Sequence, residues 1–128
     1  TLDDGPVRIL AGGLAMSGRE YPDRPRVGVG AIVIREGRVL LVQRGIEPSR
    51  GLWAIPGGSL ELGETIQEGA EREILEETGV AIRAGEPVYT FDFFERDGAG
   101  RIRFHYVIEF SEVILIPKVR SLINGHVL

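Results

Sequence analysis

The chain has 128 residues, 43% of them hydrophobic and 27% charged, and a formal net charge of −4. These values are typical of one soluble globular domain, and the negative charge argues against a broad basic surface for nucleic acid. The absence of Cys excludes disulfides and thiolate metal sites, and the two histidines, His105 and His126, are too few for a typical zinc site. Any metal must therefore be held by oxygen.

The apolar runs are shorter than the roughly 18 residues that a membrane-spanning helix needs, and no signal-peptide pattern precedes them. We therefore expect a cytoplasmic protein with no membrane partner. Residues 1–25 carry Gly, Pro and scattered charges around short apolar pieces, which predicts an N-terminal arm with room for one strand. A single domain is expected over residues 26–128.

Two apolar, β-branched runs come after the arm, Val27–Ile34 and Arg38–Gln43, with a turn sequence at residues 36–37. This pattern predicts a β-hairpin whose strands are buried on both faces. After a polar loop comes the short apolar run Leu52–Ile55. We expect Pro-Gly-Gly at residues 56–58 to end it, because Pro lacks a hydrogen-bond donor and Gly tolerates positive φ.

The clearest helix is predicted over Thr65–Thr78, with Thr65 as N-cap, Glu68 completing a capping box and Gly79 as the stop. Aromatic and β-branched residues then predict the strands Pro87–Glu95 and Arg101–Phe110, joined by a hairpin loop at Arg96–Gly100. A short strand, Val113–Ile116, and a terminal helix, Lys118–Ile123, are predicted to come after them. Strands on either side of a central helix predict a mixed sheet flanked by helices.

Three glutamates of the predicted helix share one face. At 100 degrees per residue, Glu73, Glu76 and Glu77 fall within an arc of roughly 100 degrees. Arg72 can pair with Glu76, but one guanidinium cannot neutralise three carboxylates, whereas a divalent cation could. Carboxylate oxygens suit Mg²⁺, Mn²⁺ or Ca²⁺, and Mg²⁺ commonly completes its shell with water and substrate phosphate. By spacing alone, a solvated glutamate-rich face is the simpler interpretation.

The sequence around these glutamates resembles the signature of the Nudix hydrolases. Its specified positions are Gly58, Glu64, Arg72, Glu73, Ile74, Glu76, Glu77, Gly79 and Val80, and all of them match. The resemblance implies an α/β/α sandwich with a mixed sheet, in which a loop, helix and loop form the catalytic motif.

The same resemblance implies a role for each of the matched positions. Mg²⁺, or Mn²⁺ in its place, would be bound by Glu73, Glu76, Glu77 and a backbone carbonyl such as that of Gly57. Glu64 and Arg72 would orient this cluster, and Gly58 and Gly79 would shape its loops.

The implied reaction is attack of water at phosphorus, which cleaves a diphosphate linkage. A carboxylate must orient or deprotonate the water, and Glu73 is the candidate on the helix. In some relatives the base instead comes from a loop after the later strands, where four carboxylates are available. These alternatives, each of which is also suited to a plain surface role, are Glu95, Asp97, Glu109 and Glu112.

The expected substrate is a small nucleotide derivative. Trp53 could stack on its base or ribose, and Arg44 and Arg50 could hold a terminal phosphate, against the alternatives of core packing and surface charge. The same ambiguity between stacking and packing applies to Phe91, Phe93, Phe94, Phe104 and Tyr106, whereas His105 is most simply a packing or surface residue.

The lead-in Gly51–Gly58 is similar to that of family members acting on ADP-ribose, which favours this substrate. Glu95, however, stands where ADP-ribose pyrophosphatases usually carry a Pro. Nucleoside triphosphates and dinucleoside polyphosphates therefore remain alternatives, as do a noncatalytic ligand sensor of the same fold and an acidic calcium-binding or protein-interaction module. A homodimer is also left open.

The chain departs from the family after Phe110, where Ser111 comes directly next. Family members usually continue there through an acidic loop, a strand and a longer final helix. We therefore expect a mobile loop of roughly 10 to 20 residues to be missing between about Phe110 and Val113.

Overall fold

The computed structural model describes residues 7–10 and 20–115, which form eight strands and one helix. The strands are β1 (Val7–Leu10), β2 (Arg26–Ala31), β3 (Ile34–Arg35), β4 (Arg38–Gln43), β5 (Trp53–Ala54), β6 (Gly57–Ser59), β7 (Arg83–Arg96) and β8 (Ile102–Leu115), and the helix is α1 (Ile66–Thr78). This described part includes no helix long and apolar enough to cross a membrane. The strand predicted within the N-terminal arm is β1.

The strands form two sheets. In the first, β4 pairs in parallel with β1 and antiparallel with both β3 and β5. In the second, the order is β6-β2-β8-β7, with β2 parallel to β8 and the other pairs antiparallel. Helix α1 lies against β2, β6 and β7. The predicted mixed α/β architecture is confirmed.

The predicted hairpin of Val27–Ile34 with Arg38–Gln43 is wrong over most of its length. Strand β2 lies in the second sheet, and only the short β3 pairs with β4, through Ile34 opposite Val39. The turn predicted at residues 36–37 is confirmed, since Glu36 and Gly37 both have positive φ, as tight hairpins require. Val29 and Ala31 are 1% and 0% exposed, which a central strand achieves and a two-stranded hairpin does not.

The Pro-Gly-Gly segment also differs from the prediction. Pro56 lies between two strands, β5 and β6, and Gly57 and Gly58 begin β6, where they pair with β2. A Cβ on Gly57 would lie 2.3 Å from the carbonyl oxygen of Val29. The glycine therefore permits a close approach of two backbones rather than a turn.

Two apolar clusters form the core. The first joins both sheets to the helix, and the second lies along alternate residues of β8 and receives aromatic side chains from β7. The buried members of the first are Ala31, Val33, Leu40, Val42, Ile74 and Val80, and those of the second are Phe104, Tyr106 and Ile108, with Phe91, Phe93 and Phe110 packed against them.

The predicted pair of long strands around a loop is confirmed as the β7–β8 hairpin. Strand β8 runs without interruption from Phe110 to Leu115, and Ser111 is fully buried opposite Ala31 and Pro87. The prediction of a loop missing at this position is therefore wrong, and the predicted strand from Val113 is the end of β8. The predicted helix Lys118–Ile123 and His126 lie outside the described residues.

Candidate active site

Both ends of α1 are fixed by local hydrogen bonds, as predicted. Thr65 Oγ1 accepts from the Glu68 N–H at 3.0 Å, and Glu68 Oε1 accepts from the Thr65 N–H at 2.9 Å. At the other end Gly79 has a φ of 76°, and its N–H donates to the carbonyl of Leu75. These caps fix the register of the helix and with it the direction of the side chains that it carries.

Arg72 ties the loop before the helix to the helix itself. Its guanidinium donates two hydrogen bonds to Glu64, at 2.5 and 2.9 Å, and one to the Ser59 carbonyl at 3.0 Å. It also donates to Glu73 at 2.7 Å and, more weakly, to Glu76 at 3.3 Å. These bonds raise the pKa of Arg72 and lower that of Glu64. The structure thus brings Glu64 and Arg72 together beside Glu73, and their orienting role stays a prediction.

Glu73 lies against the backbone of β6. Its side chain is 11% exposed, and a Cβ on Gly58 would lie only 2.2 to 2.6 Å from its carboxylate atoms. Burial raises the pKa of Glu73, while the hydrogen bond and charge of Arg72 act in the opposite direction. A buried carboxyl whose proton affinity is increased in this way can accept a proton more readily than an exposed one.

Glu77 is buried, and its two carboxylate oxygens differ in their hydrogen bonding. Its Oε1 accepts a hydrogen bond from the Gly57 N–H at 3.1 Å, whereas its Oε2 is buried and has no hydrogen-bond partner. Burial, assisted by the negative charge of Glu73, raises the pKa of Glu77 to about 7, and the charge of Arg44 partly opposes this. A cation bound at Oε2 would compensate for the burial of this carboxylate.

Glu76 differs from its neighbours because its side chain is 59% exposed and contacts Arg72. Within the described ranges, no three His, Cys, Asp or Glu side chains are grouped closely enough to hold a metal ion. The donor set nevertheless suits a hard divalent cation, since its members are carboxylate oxygens and one of them, Glu77 Oε2, is buried without a partner.

The three residues predicted to bind substrate lie close in sequence to the β4–β5 connection, but their exposure differs. Trp53, on β5, is 40% exposed, and Arg50 is exposed. Arg44 is only 9% exposed, and its Nε donates to the Pro48 carbonyl at 2.5 Å. Sequence reasoning did not anticipate that Arg44 lies within electrostatic range of Glu77 and Tyr106.

The alternative bases predicted from later strands have contacts within or near the β7–β8 hairpin. Asp97 accepts hydrogen bonds from Tyr21 and from backbone N–H groups of its own turn. Glu95 contacts Arg103, and Glu109 accepts from Thr90. The remaining candidate is Glu112, whose side chain lies beside Gly85. His105 packs edge-on against Phe94, in agreement with a packing role.

Comparison with known proteins gives matches over most of the chain. The family model for the NUDIX domain matches residues 24–121. An ADP-ribose pyrophosphatase of Methanocaldococcus jannaschii is 36% identical over 78 residues, which are 61% of this chain and 46% of that protein. Phosphatase NudJ of Escherichia coli K12 is 33% identical over 90 residues, 70% of this chain and 58% of that protein. The chain thus spans about half the length of these relatives.

Solved structures show the same similarity. A MutT NUDIX hydrolase from Burkholderia pseudomallei is 32% identical, with a TM-score of 0.64 over 73% of this chain and 70% of that one. A bifunctional NMN adenylyltransferase/ADP ribose pyrophosphatase from Francisella tularensis, complexed with AMP and manganese, is 30% identical. Its TM-score is 0.50, over 77% of this chain and 33% of that one.

Proposed function

Because the chain belongs to the Nudix family of hydrolases, we propose that it is a metal-dependent enzyme that cleaves the diphosphate bond of nucleoside diphosphate derivatives, ADP-ribose first among them. The products would be two phosphate monoesters, formed by attack of water on one phosphorus. Relatives named ADP-ribose pyrophosphatase and NudJ phosphatase support this reaction class.

The observation that carries the proposal is the burial and hydrogen bonding of the Glu77 carboxylate. Its carboxylate is buried beside that of Glu73, one oxygen is held by the Gly57 N–H, and the other has no partner. Two neighbouring buried carboxylates are costly without a compensating positive charge. The arrangement is therefore better suited to binding a divalent cation than to a solvated helix face.

The residues proposed to hold the cation, Mg²⁺ or Mn²⁺, are Glu73, Glu76, Glu77 and the Gly57 carbonyl. When bound, the cation would neutralise charge on the diphosphate and its leaving oxygen. The manganese in the Francisella relative supports a divalent metal of this type. Arg72 hydrogen-bonds to Glu73 and Glu76 and keeps them on one side of the helix. Arg72 is itself held in place by its two hydrogen bonds to Glu64.

Glu73 is our candidate for the group that takes the proton from the attacking water. Burial raises its pKa, and its position against Gly58 restricts its movement. The rival carboxylates Asp97, Glu95 and Glu109 already have partners on the β7–β8 hairpin.

Trp53 and Arg50 are the proposed substrate contacts. Both are accessible to solvent and lie in or next to the β4–β5 connection. Strand β5 is followed closely along the chain by β6, which carries Gly57 and Gly58 of the proposed metal site. An exposed indole can stack on a base or ribose, and an exposed guanidinium can bind a phosphate. Arg44, by contrast, is buried.

The test is a turnover assay with purified protein, Mg²⁺ and a panel of ADP-ribose, other nucleoside diphosphate derivatives, nucleoside triphosphates and dinucleoside polyphosphates. Release of AMP from ADP-ribose is the expected result, and Glu76→Gln should lower kcat by at least about 10-fold. Glu86→Gln, which removes an exposed charge on β7, is the matched control and should leave turnover unchanged.

Each other outcome has a definite meaning. Preference for triphosphates or dinucleoside polyphosphates would replace ADP-ribose as substrate but keep the reaction class. Binding of these nucleotides without turnover would favour a noncatalytic sensor. Full turnover by the Glu76→Gln variant would refute the assignment of Glu76 as a metal ligand.

A further inference from the structure

The five N–H groups of the Arg72 guanidinium are all hydrogen-bonded, and their acceptors fall into two sets. Nε and Nη2 donate to Glu64 and to the Ser59 carbonyl, neither of which is a proposed metal ligand. Both hydrogen bonds of Nη1 go to proposed metal ligands, Glu73 at 2.7 Å and Glu76 at 3.3 Å. Metal binding would therefore affect the hydrogen bonds of Nη1 and leave those of Nε and Nη2 in place.

A further carboxylate, that of Glu61, lies beside the same nitrogen. Glu61 Oε1 is 3.6 Å from Arg72 Nη1, which makes an ion pair but is too long for a hydrogen bond. The Glu61 side chain is 64% exposed, whereas that of Glu64 is 17% exposed, so Glu61 has more room to move. Shortening its distance to Nη1 to about 2.9 Å would give an ordinary N–H···O hydrogen bond.

Glu61 is held at this place through its backbone. Its N–H donates to Glu64 Oε1 at 2.8 Å, and its carbonyl accepts from the Glu64 N–H at 3.1 Å. Glu64 is in turn hydrogen-bonded to Arg72 through both of its carboxylate oxygens. The loop between β6 and α1 therefore fixes the backbone of Glu61 relative to Arg72, while the exposed carboxylate can still turn toward Nη1.

Glu73 and Glu76 cannot give the same lone pairs to a cation and to Arg72. If they bind Mg²⁺ or Mn²⁺ as proposed, Nη1 loses acceptors, which is costly for a guanidinium that is only 21% exposed. We infer that Glu61 is a positioning residue that accepts a hydrogen bond from Arg72 Nη1 once the two glutamates bind the cation. Glu61 itself then binds neither cation nor substrate. This inference rests on the proposed function and adds a residue outside the matched Nudix positions.

Metal affinity provides the test, because it can be measured without turnover. Mn²⁺ binding is followed by electron paramagnetic resonance for the unaltered protein, Glu61→Ala and Glu61→Gln. Without the Glu61 carboxylate, Arg72 competes with Mn²⁺ for the two glutamates. We therefore expect Glu61→Ala to weaken Mn²⁺ binding by about 10-fold, the usual scale for loss of a group that orients a ligand. Glu61→Gln, which keeps an oxygen that can accept from Arg72, should recover part of the loss.

Two matched controls make the same changes at Glu86, an exposed glutamate on β7. Neither Glu86→Ala nor Glu86→Gln should alter Mn²⁺ affinity. An exposed ion pair contributes little to stability, so the metal-free Glu61 variants should melt at the same temperature as the Glu86 variants. A lower melting temperature confined to the Glu61 variants would assign the side chain a structural role in the loop and would overturn the inference.

A double-mutant cycle separates positioning from direct binding of the cation. If Glu61 acts through Arg72, Glu61→Ala should cause no further loss of Mn²⁺ affinity once Arg72→Gln is present. An equal loss with and without Arg72 would make Glu61 a metal ligand or a remote charge and would overturn the inference. The comparison of Glu61→Gln with Glu61→Ala does not depend on the folding of the Arg72 variant. Equal losses in these two, or no loss in either, would also overturn the inference.

The outcomes also distinguish this inference from the proposed function. Mn²⁺ binding that depends on Glu61 through Arg72, without hydrolysis of any nucleotide, would support the inference and refute the enzymatic proposal. Hydrolysis with an Mn²⁺ affinity that is unchanged in Glu61→Ala would do the reverse. Absence of Mn²⁺ binding by the unaltered protein would overturn both.

Discussion

The carboxylate of Glu73 lies so close to the backbone of Gly58 that no side chain fits between them. A Cβ on Gly58 would be 2.2 Å from Glu73 Oε2 and 2.6 Å from Oε1, closer than nonbonded atoms can approach. The carboxylate is the far end of a flexible side chain, whereas Gly58 is held in β6 opposite Val29. Glu73 would therefore move before the strand does.

Gly58→Ala should for this reason damage the site more than the fold. We expect kcat to fall by about 100-fold, the scale for a reacting group displaced by about 1 Å, and the free energy of unfolding to fall by only about 1 kcal/mol. Steady-state kinetics and urea denaturation measure the two effects. Gly98→Ala is the control, because a Cβ there meets nothing within 4 Å.

A loss of stability large enough to unfold Gly58→Ala, or a kcat equal to that of Gly98→Ala, would contradict this account of Gly58. The first result would mean that β6 cannot accept a side chain at position 58. The second would mean that the position of Glu73 against Gly58 is not the one used in the reaction.

The limits of sequence reasoning at the residue scale are clearest for Arg44. An arginine beside a polar loop is compatible with an exposed phosphate contact, and its burial depends on the Pro48 and Leu52 carbonyls, which meet it only after folding. Tyr106 was ambiguous for a related reason. Strand alternation indicates that a residue faces one side of a sheet, but not which side chains meet it there.

Helix α1 is the element on which the candidate site depends, and its N-terminus rests on one reciprocal pair of hydrogen bonds between Thr65 and Glu68. Thr65→Ala removes the side-chain acceptor and should lower the free energy of unfolding by about 1 kcal/mol. Urea denaturation measures the difference, with Glu86→Ala, which truncates an exposed side chain on β7, as the control.

Turnover should respond differently from stability in Thr65→Ala. The glutamates proposed to bind metal lie in the last two turns of α1, where Gly79 and Leu75 close the helix independently of Thr65. We therefore expect kcat per folded molecule to stay unchanged. A fall in kcat similar to that of Glu76→Gln would show that the N-terminal cap also positions the site.

At the scale of elements, the helix could be predicted completely and the sheets only in part. The caps of α1 and its apolar and acidic faces are encoded within about 15 neighbouring residues, so the signal is local. The partners of β2 are β6 and β8, and β8 is distant in sequence, so adjacency to β4 suggested the wrong pairing. The same holds for Gly57 and Gly58, which resemble a turn until β2 is placed beside them.

For the molecule as a whole, the burial of Glu73 and Glu77 between the helix and β6 lowers the free energy of unfolding when no cation is bound. The pKa of Glu77 is raised from its ordinary 4.5 to about 7, so in this interval the folded state binds more protons than the unfolded state. The stability of the metal-free protein should therefore fall as pH rises from 4.5 through 7.

Metal ions should reverse this dependence, because a cation binds the ionised carboxylate and competes with the proton. At a concentration 100 times its dissociation constant, Mn²⁺ should add about 2.7 kcal/mol to the free energy of unfolding, and EDTA should remove this gain. At one fixed Mn²⁺ concentration the gain should be larger at about pH 7.5 than at about pH 5.5, since Glu77 is mostly protonated at the lower pH.

Thermal denaturation at the two pH values, with Mn²⁺ or EDTA, measures both effects, and Glu77→Gln is the informative variant. Gln cannot ionise, so it should flatten the pH dependence of the metal-free protein and reduce the Mn²⁺ gain at pH 7.5. An equal Mn²⁺ gain at both pH values would place the cation away from Glu77. The proposed site would then have to be sought among more exposed carboxylates such as Glu76 and Glu61.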